Sequence, residues 1–180
     1  MIITISGVPG SGKSSVAKLL AEKLGLKHYS TGDFMRLMAE EKGITLLELS
    51  KIAEKDFSVD KELDAYTTKF GEEEDNFVLD ARLGFHFIPE SIKIFLVVSP
   101  EEAAKRIFNS PKHKLLEKEN TDYETTLNNM KRRMESERKR YYSLYQLDYE
   151  NKNNFDFVVN THGKSIEEVC KEIISFLNKK

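Results

Sequence analysis

Apolar residues in this chain occur in two kinds of run, short β-branched runs and longer segments with helical spacing. The short runs predict five strands, Ile2 to Ile5, Lys27 to Tyr29, Phe77 to Asp80, Lys93 to Val98 and Phe155 to Asn160. Between them, segments such as Ser14 to Leu24 place apolar side chains on one face of a helix. Strands that alternate with helices along a whole chain predict an α/β fold with a parallel sheet covered on both faces.

Several helix starts are marked by a Ser or Thr that is followed three residues later by Glu, the pattern of a capping box. Four positions begin this pattern, namely Thr45, Ser99, Thr121 and Ser165. Gly25 and Gly43 follow helical segments closely enough to end them. These residues therefore predict the boundaries of several helices.

Two stretches are longer than a simple alternation of strands and helices requires. Residues 33–75 hold two or three short helices and an acidic run, and residues 109–131 are polar and contain Pro111. The second stretch leads into a long helix from Thr121 to about Leu144. Insertions of this kind are typical of mobile elements that close over a ligand, although plain decoration of the sheet edge is an alternative for the first.

Size, charge and cysteine content exclude several classes of protein. The 180 residues are enough for one compact domain that needs no disulfide. A formal net charge of −2 gives no global basic field, so nucleic acid is not expected as the main partner. The single cysteine, Cys170, falls on an apolar helical face and is expected to be a buried small hydrophobe. That face also contains Ile166, Val169, Ile173, Ile174 and Leu177.

No apolar run approaches the ~20 residues that a membrane span requires. Met1 leads directly into the first strand, without a charged segment or a cleavage site. We therefore expect a cytoplasmic protein with no membrane partner.

The segment Gly7 to Ser14 reads G-x-x-x-x-G-K-S and lies between the first strand and the first helix. In such a phosphate loop the backbone N–H groups surround the phosphates, the lysine bridges β- and γ-phosphates, and the hydroxyl ligates Mg²⁺. We therefore expect the chain to bind a nucleoside triphosphate with Mg²⁺, rather than to use this turn only to join strand and helix. The residues assigned to ATP are Gly7, Pro9, Gly10, Ser11, Gly12, Lys13, Ser14 and Ser15.

Asp80 ends the apolar strand that begins at Phe77. A carboxylate in this place reaches a Mg²⁺ ion held by the phosphate loop, either directly or through water. We predict Ser14 and Asp80 as the metal ligands; the alternative for Asp80 is an ordinary turn residue.

The segment from Lys131 to Arg140 carries six basic and two acidic residues. On a helix Arg133, Glu137 and Arg140 share one face, so the carboxylate is expected to hold two guanidinium groups apart. That arrangement suits phosphoryl transfer, in which negative charge spreads over the transferring oxygens. A solvated helix face and a nucleic-acid surface are the alternatives.

The segment Ser30 to Arg36 follows the second strand and opens a helix, so backbone N–H groups, a hydroxyl and an arginine converge on one small space. Arg82, two residues after Asp80, is expected to emerge at the same edge of the sheet. These features predict a second phosphate site that suits a monophosphate acceptor. Ordinary surface charge is the alternative for each arginine.

Taken in order, these motifs resemble the nucleoside monophosphate kinases, and among them the short cytidylate kinases of archaea and some bacteria. The resemblance covers nearly the whole chain and rests on the phosphate loop, Ser30 to Arg36, Asp80 to Leu83, Arg133 to Tyr141 and Phe155 to Thr161. It implies a three-layer P-loop fold with a five-stranded parallel sheet in the order 2-3-1-4-5. It also implies one domain over residues 1–180, with an acceptor-binding insertion near 33–75 and a lid near 109–131.

The resemblance further implies roles for individual side chains. Lys13 would follow the γ-phosphate in transfer, and Arg133 and Arg140, with Arg106, would stabilise the transferring group. The acceptor would be held by Ser30, Gly32, Asp33, Arg36 and Arg82, with Asp60 or Asp64 reading the base. The chain departs from the family at Ala81, where members usually have glycine before the arginine.

The leading hypothesis is an ATP-dependent kinase, acting as a monomer, that phosphorylates CMP or dCMP. Within the same class the acceptor would instead be UMP, AMP or a metabolite that is not a nucleotide. A different class is a nucleotide-binding switch without catalysis, and a third is an RNA-binding protein that uses residues 131–140. A pure switch needs no second anion site, which favours the kinase.

Overall fold

Five parallel strands form one sheet in the computed structural model, which describes residues 1–111, 113, 117 and 119–179 and only the backbone of Phe70. The sheet order is β2-β3-β1-β4-β5, as the resemblance implies. The strands are β1 Ile2–Gly7, β2 Lys27–Ser30, β3 Phe77–Asp80, β4 Ile92–Val97 and β5 Phe157–Asn160. All five predicted strands are present, with ends that shift by one or two residues.

Helices connect the strands and cover the sheet. In the described part of the chain they are α1 Lys13–Leu24, α2 Thr31–Glu41, α3 Leu46–Ala53, α4 Ser58–Glu73, α5 Gly84–Phe87, α6 Pro100–Asn109, α7 Tyr123–Tyr145 and α8 Ile166–Leu177. None of the helices in the described residues is long and apolar enough to cross a membrane.

The two faces of the sheet bury different side chains because successive residues of a strand point in opposite directions. Ile3 and Ile5 of β1 pack with the apolar faces of α1 and α8, where Cys170 is fully buried. Phe77 and Leu79 of β3 belong to a second cluster with Ile88, which follows α5. The structure thus confirms helices on both faces of the sheet.

Most of the predicted caps are present. Thr45 and Ser165 each complete a capping box, and Ser99 accepts a hydrogen bond from the Glu102 amide. Gly25 and Gly43 adopt left-handed backbone angles directly after helical residues.

The start of α7 differs from the prediction by one residue. Asp122, not Thr121, is the N-cap, and its carboxylate accepts hydrogen bonds from both the amide and the hydroxyl of Thr125 at 2.8 and 2.7 Å. The Thr121 hydroxyl donates instead to the Asp122 carboxylate at 3.1 Å. The Asp122 carboxylate caps the helix because it accepts two hydrogen bonds from one residue.

The first predicted insertion consists of α2, α3 and α4, which bury a small core of their own. Met35 and Met38 of α2 pack with Leu49 of α3 and Val59 of α4. The insertion is therefore a folded unit beside the sheet. The second predicted insertion, near 109–131, falls partly on residues 112, 114–116 and 118, which lie outside the described residues.

Candidate active site

A cleft of about 1070 Å³ lies where the carboxyl ends of β1 and β3 meet the insertion and α7. The parallel register aligns Ile5 of β1 with Asp80, and Asp80 with Ser30 of β2. Loops that follow neighbouring parallel strands therefore open on the same edge of the sheet, which is where α/β folds bind ligands.

The phosphate loop forms one wall of the cleft and needs glycine at particular positions. Gly10 has φ +71°, and a Cβ atom there would lie 2.5 Å from the carbonyl oxygen of Ala103 in α6. Gly7 has φ +148°, and a Cβ atom there would collide with the Leu96 carbonyl. The loop therefore packs closely against β4 and α6. The loop residues that line the cleft are Pro9, Gly10, Gly12, Lys13, Ser14 and Ser15, while Gly7 and Ser11 lie behind them.

Lys13 opens α1, and its Nζ donates a 3.0 Å hydrogen bond to the Val8 carbonyl. Burial, assisted by the nearby Arg82, lowers its pKa well below the usual value of 10.5, against the pull of Asp80 and Glu137. A buried ammonium that lies near another cation is stabilised when an anion enters the cleft. Lys13 is thus placed to bind phosphate.

Asp80 is buried and connects the phosphate loop to the second strand. Its Oδ2 accepts hydrogen bonds from the Ser14 hydroxyl and, at 3.2 Å, from the Ser30 hydroxyl. Hydroxyl and carboxylate oxygens are the ligands that Mg²⁺ prefers. The Ser14 and Asp80 pair, predicted from sequence, fits such an ion.

The predicted acceptor side lies across the cleft on α2. Ser30 caps this helix by accepting from the Asp33 amide at 3.3 Å. Arg36 donates to the Asp33 carboxylate at 3.0 Å, while its buried Nε has no hydrogen-bond partner among the described residues. A buried guanidinium N–H without a partner is costly, so the site suits an anion that supplies one. Gly32, Asp33 and Arg36 all line the cleft.

Glu137 of α7 lies between two arginines. Its Oε2 accepts from Arg82 Nε at 2.7 Å and its Oε1 from Arg133 Nε at 3.1 Å. Burial opposes the ionised form, yet the two guanidinium groups hold the pKa of Glu137 at about 2. The carboxylate is therefore a permanent negative charge in the cleft wall.

The predicted contact between Glu137 and Arg140 is replaced by other partners. Arg140 donates to Asp60 of α4 at 2.9 Å and to the Ser136 hydroxyl at 2.7 Å, and its side chain is 4% exposed. Glu137 bonds Arg133 as predicted, but its second arginine is Arg82. Helical spacing alone missed Asp60 as the partner of Arg140 and Arg82 as the partner of Glu137, because each comes from a distant segment of the chain.

Asp60 and Asp64 occupy successive turns of α4, and both line the cleft. The Asp64 carboxylate accepts a hydrogen bond from the Tyr145 hydroxyl of α7. Burial, with a smaller contribution from Asp60, raises the pKa of Asp64 to about 6. Asp60 is the more buried of the two and is engaged by Arg140. The pair is thus part of the junction between the insertion and α7.

Arg106, which the resemblance implies beside the transferring group, lines the cleft and is held by Thr161, to which no role was assigned. Arg106 of α6 donates to the Thr161 hydroxyl at 3.0 Å and to its carbonyl at 2.7 Å, and Thr161 Oγ1 lies 3.2 Å from the Ser11 carbonyl. Ile166, expected in the core, is 41% exposed and lines the cleft, because it opens α8 at the edge of the sheet. The position of Thr161 directly after β5 was the sequence signal that could have placed it near the cleft, because ligands bind at the carboxyl ends of parallel strands.

Comparison with known sequences finds the same family by a family profile and by individual relatives. The profile of the cytidylate kinase-like family matches residues 2–163. A cytidylate kinase from Sulfurisphaera tokodaii is 35% identical over 180 residues, covering 99% of this chain and 96% of the relative. A cytidylate kinase from Methanobrevibacter smithii is 33% identical over 177 residues, covering 98% of each chain.

Comparison with solved structures supports the fold. An uncharacterized protein from Eubacterium ventriosum has a TM-score of 0.69 at 24% identity, covering 100% of this chain and 99% of its own. A shikimate kinase from Bacteroides thetaiotaomicron has a TM-score of 0.69 at 15% identity, covering 99% of this chain and 98% of its own. At such identities the likeness extends to the fold alone.

Proposed function

The chain belongs to the cytidylate kinase-like family, and from that premise we propose that it transfers the γ-phosphoryl group of ATP to CMP or dCMP. The observation that supports the proposal is that one cleft contains two groups of residues that suit anions. Lys13 and the phosphate loop form the first, and Arg36 and Arg82 form the second. A kinase for a phosphorylated acceptor needs both.

On the donor side, the phosphate loop would bind the phosphates of ATP through its backbone N–H groups and Lys13. Ser14 and Asp80 would hold Mg²⁺, which neutralises phosphate charge when bound. Asp80 keeps the Ser14 hydroxyl directed toward the cleft by accepting its hydrogen bond.

On the acceptor side, Arg36 and Arg82 would bind the 5′-phosphate of the monophosphate. Planar guanidinium groups match the geometry of phosphate oxygens and hold them in two directions. Ser30, Gly32 and Asp33 form the start of α2 beside them, and Asp60 or Asp64 would contact the base.

Transfer requires positioning and charge neutralisation rather than a general base, because the acceptor phosphate is already an anion. An acceptor oxygen bonds to the γ-phosphorus while the bond to the bridging oxygen breaks, which leaves ADP and the nucleoside diphosphate. Lys13 and Arg133 would stabilise the charge that spreads over the transferring oxygens. The role predicted for Arg140 in this step stays a prediction, since Asp60 and Ser136 engage its guanidinium.

Closure of the insertion and of the lid predicted near 109–131 would exclude water that otherwise hydrolyses ATP. One copy of the chain supplies every residue that this mechanism uses, so the proposal is of an enzyme that acts as a monomer. A switch without catalysis has no use for the arginines of the second site, so it is not favoured.

The test measures ADP production from Mg²⁺-ATP with CMP, dCMP, UMP, AMP, GMP and shikimate, and without acceptor. We expect turnover with CMP and dCMP that exceeds every other acceptor at least tenfold. Lys13→Ala should reduce it at least 100-fold, because Lys13 would touch the reacting phosphate. Lys23→Ala, in the exposed last turn of the same helix, is the matched control and should leave it unchanged.

ATP binding without turnover on any acceptor would overturn the proposal. Faster turnover with another acceptor would preserve the kinase and reject the cytidine specificity. Full activity in the Lys13→Ala variant would reject the assignment of the phosphate loop.

A further inference from the structure

The carboxylate of Glu137 is shared between the two sides of the cleft. It accepts one hydrogen bond from Arg82, which follows β3, and one from Arg133, one turn earlier on α7. The Glu137 side chain is only 5% exposed, so the contacts are shielded from water. One buried group thus fixes the distance between two guanidinium groups that come from separate parts of the chain.

Arg82 continues this connection into the phosphate loop. Its NH1 donates a 2.8 Å hydrogen bond to the Gly7 carbonyl. A guanidinium has five N–H donors, so these contacts leave donors on both arginines for a ligand. Both Arg82 and Arg133 line the cleft. The result is a continuous series from Arg133 through Glu137 and Arg82 to Gly7.

Charge gives the series its importance. Lys13, Arg82 and Arg133 all line the cleft. Without a carboxylate beside them, these three cations would repel one another. Glu137 is the carboxylate that contacts two of these three cations directly. A phosphate that binds one arginine would therefore act on the other through the carboxylate that both contact.

We propose that Glu137 is a positioning residue that couples the donor and acceptor sites, so that each substrate binds more tightly when the other is present. The inference rests on the proposed function, because Arg82 is assigned to the acceptor and Arg133 to the transferring group. Coupling of this kind is reciprocal and typically amounts to about 5- to 150-fold in affinity.

The experiment measures CMP binding by calorimetry, with and without a nonhydrolysable ATP analogue, for the full chain and for Glu137→Gln. The amide places an N–H group against one of the arginine Nε atoms, so only one contact survives. We expect about fivefold or greater coupling in the native protein, comparable to known allosteric couplings, and less than about twofold in the variant. We also expect kcat to fall at least tenfold, as misplaced catalytic groups cause.

Glu135→Gln is the matched control, because Glu135 lies on the same helix and pairs with Lys139 in solvent. It should retain both coupling and kcat. A double variant separates positioning from a merely structural effect. In an Arg82→Ala background, Glu137→Gln should change kcat less than the tenfold expected in the native chain, since one of the two arginines that Glu137 positions is already absent.

If Glu137→Gln gives no cooperative thermal transition, Glu137→Asp replaces it, because the shorter carboxylate keeps the charge but reaches only one arginine. A folded variant of either kind with native coupling overturns the inference, as does a native protein without coupling. Native protein that fails to phosphorylate CMP overturns the proposed function instead, and the acceptor panel detects that outcome separately.

Discussion

Burial shifts two ionisable side chains of the cleft toward their neutral forms. The pKa of Lys13 is lowered and that of Asp64 is raised to about 6. A phosphate would affect the two pKa values differently, because it favours the charged lysine and disfavours the charged carboxylate. Phosphate binding should therefore oppose the pKa shift of Lys13 and increase that of Asp64.

Asp64 should make stability depend on pH in a particular direction. Its folded pKa of about 6 exceeds the ordinary value of 3.8, so the folded state binds more protons between those values. The stability that the protonated Asp64 contributes is fully present below pH 3.8 and is lost as the pH rises through 6. We expect Asp64→Asn to raise the free energy of unfolding by about 2 kcal/mol at pH 7.5, less than the full pKa shift implies because solvent screens the partly exposed carboxylate, and by little at pH 4.

Urea denaturation at the two pH values measures this difference. Asp56→Asn is the control of opposite sign, because a hydrogen bond from the Ser58 amide lowers the pKa of Asp56. That variant should lose stability above pH 4. An Asp64→Asn effect that is equal at both pH values would contradict the raised pKa.

At the scale of elements, signals within a few residues of sequence were the reliable ones. Thr45 and Ser165 cap their helices as predicted, because a capping box joins residues three apart. The cap of α7 moved from Thr121 to Asp122, since both residue types cap helices and the sequence does not show which neighbour accepts more hydrogen bonds. Ile166 was misplaced because helical spacing does not say where a helix passes the edge of a sheet.

The contact between the phosphate loop and α6 predicts an effect of Gly10→Ala. The added methyl would meet the Ala103 carbonyl, and the left-handed backbone adds strain. We expect at least a tenfold rise in the Kd for ATP, as the loop must move away from its binding geometry. Titration with ATP in the presence of Mg²⁺ measures this.

Gly25→Ala provides the matched control. Gly25 has a similar φ of +66°, but a Cβ atom there meets nothing within 4 Å. It should cost about 1 kcal/mol of stability through backbone strain and leave ATP affinity unchanged. Equal effects of the two variants on ATP binding would argue against the steric explanation.

At the scale of the whole molecule, the contacts that assemble the cleft cross large distances in sequence. The pairs Arg82 with Glu137 and Arg140 with Asp60 join β3 to α7 and α7 to the insertion. Spacing on one helix correctly paired Arg133 with Glu137 but has no information about such partners. The fold and the phosphate loop were therefore predictable, whereas the partners of these arginines were not.

The Arg140 and Asp60 pair should be important for joining the insertion to the rest of the molecule. Arg140→Met leaves the Asp60 carboxylate buried without its cation, which typically costs about 3–5 kcal/mol. We expect that loss in the free energy of unfolding, measured with urea. Adding Asp60→Asn to the same chain should restore part of it.

Arg138→Met is the control, because Arg138 pairs with Glu150 near the surface and is 54% exposed. It should cost less than about 1 kcal/mol. If Arg140→Met keeps native stability and loses only kcat, Arg140 acts in phosphoryl transfer instead of in holding the insertion.

The central place of β1 in the sheet has a consequence for how the chain folds. This strand is synthesised first, yet Ile2 pairs with Phe77 and Ile3 with Ile92. Both of its neighbours therefore reach it only after all the residues up to β3 and β4 have been synthesised. Nonlocal pairing of this kind slows folding and leaves apolar strand edges open to aggregation in the meantime. A nascent chain that stalls before β4 would carry the complete phosphate loop sequence without the sheet that shapes it.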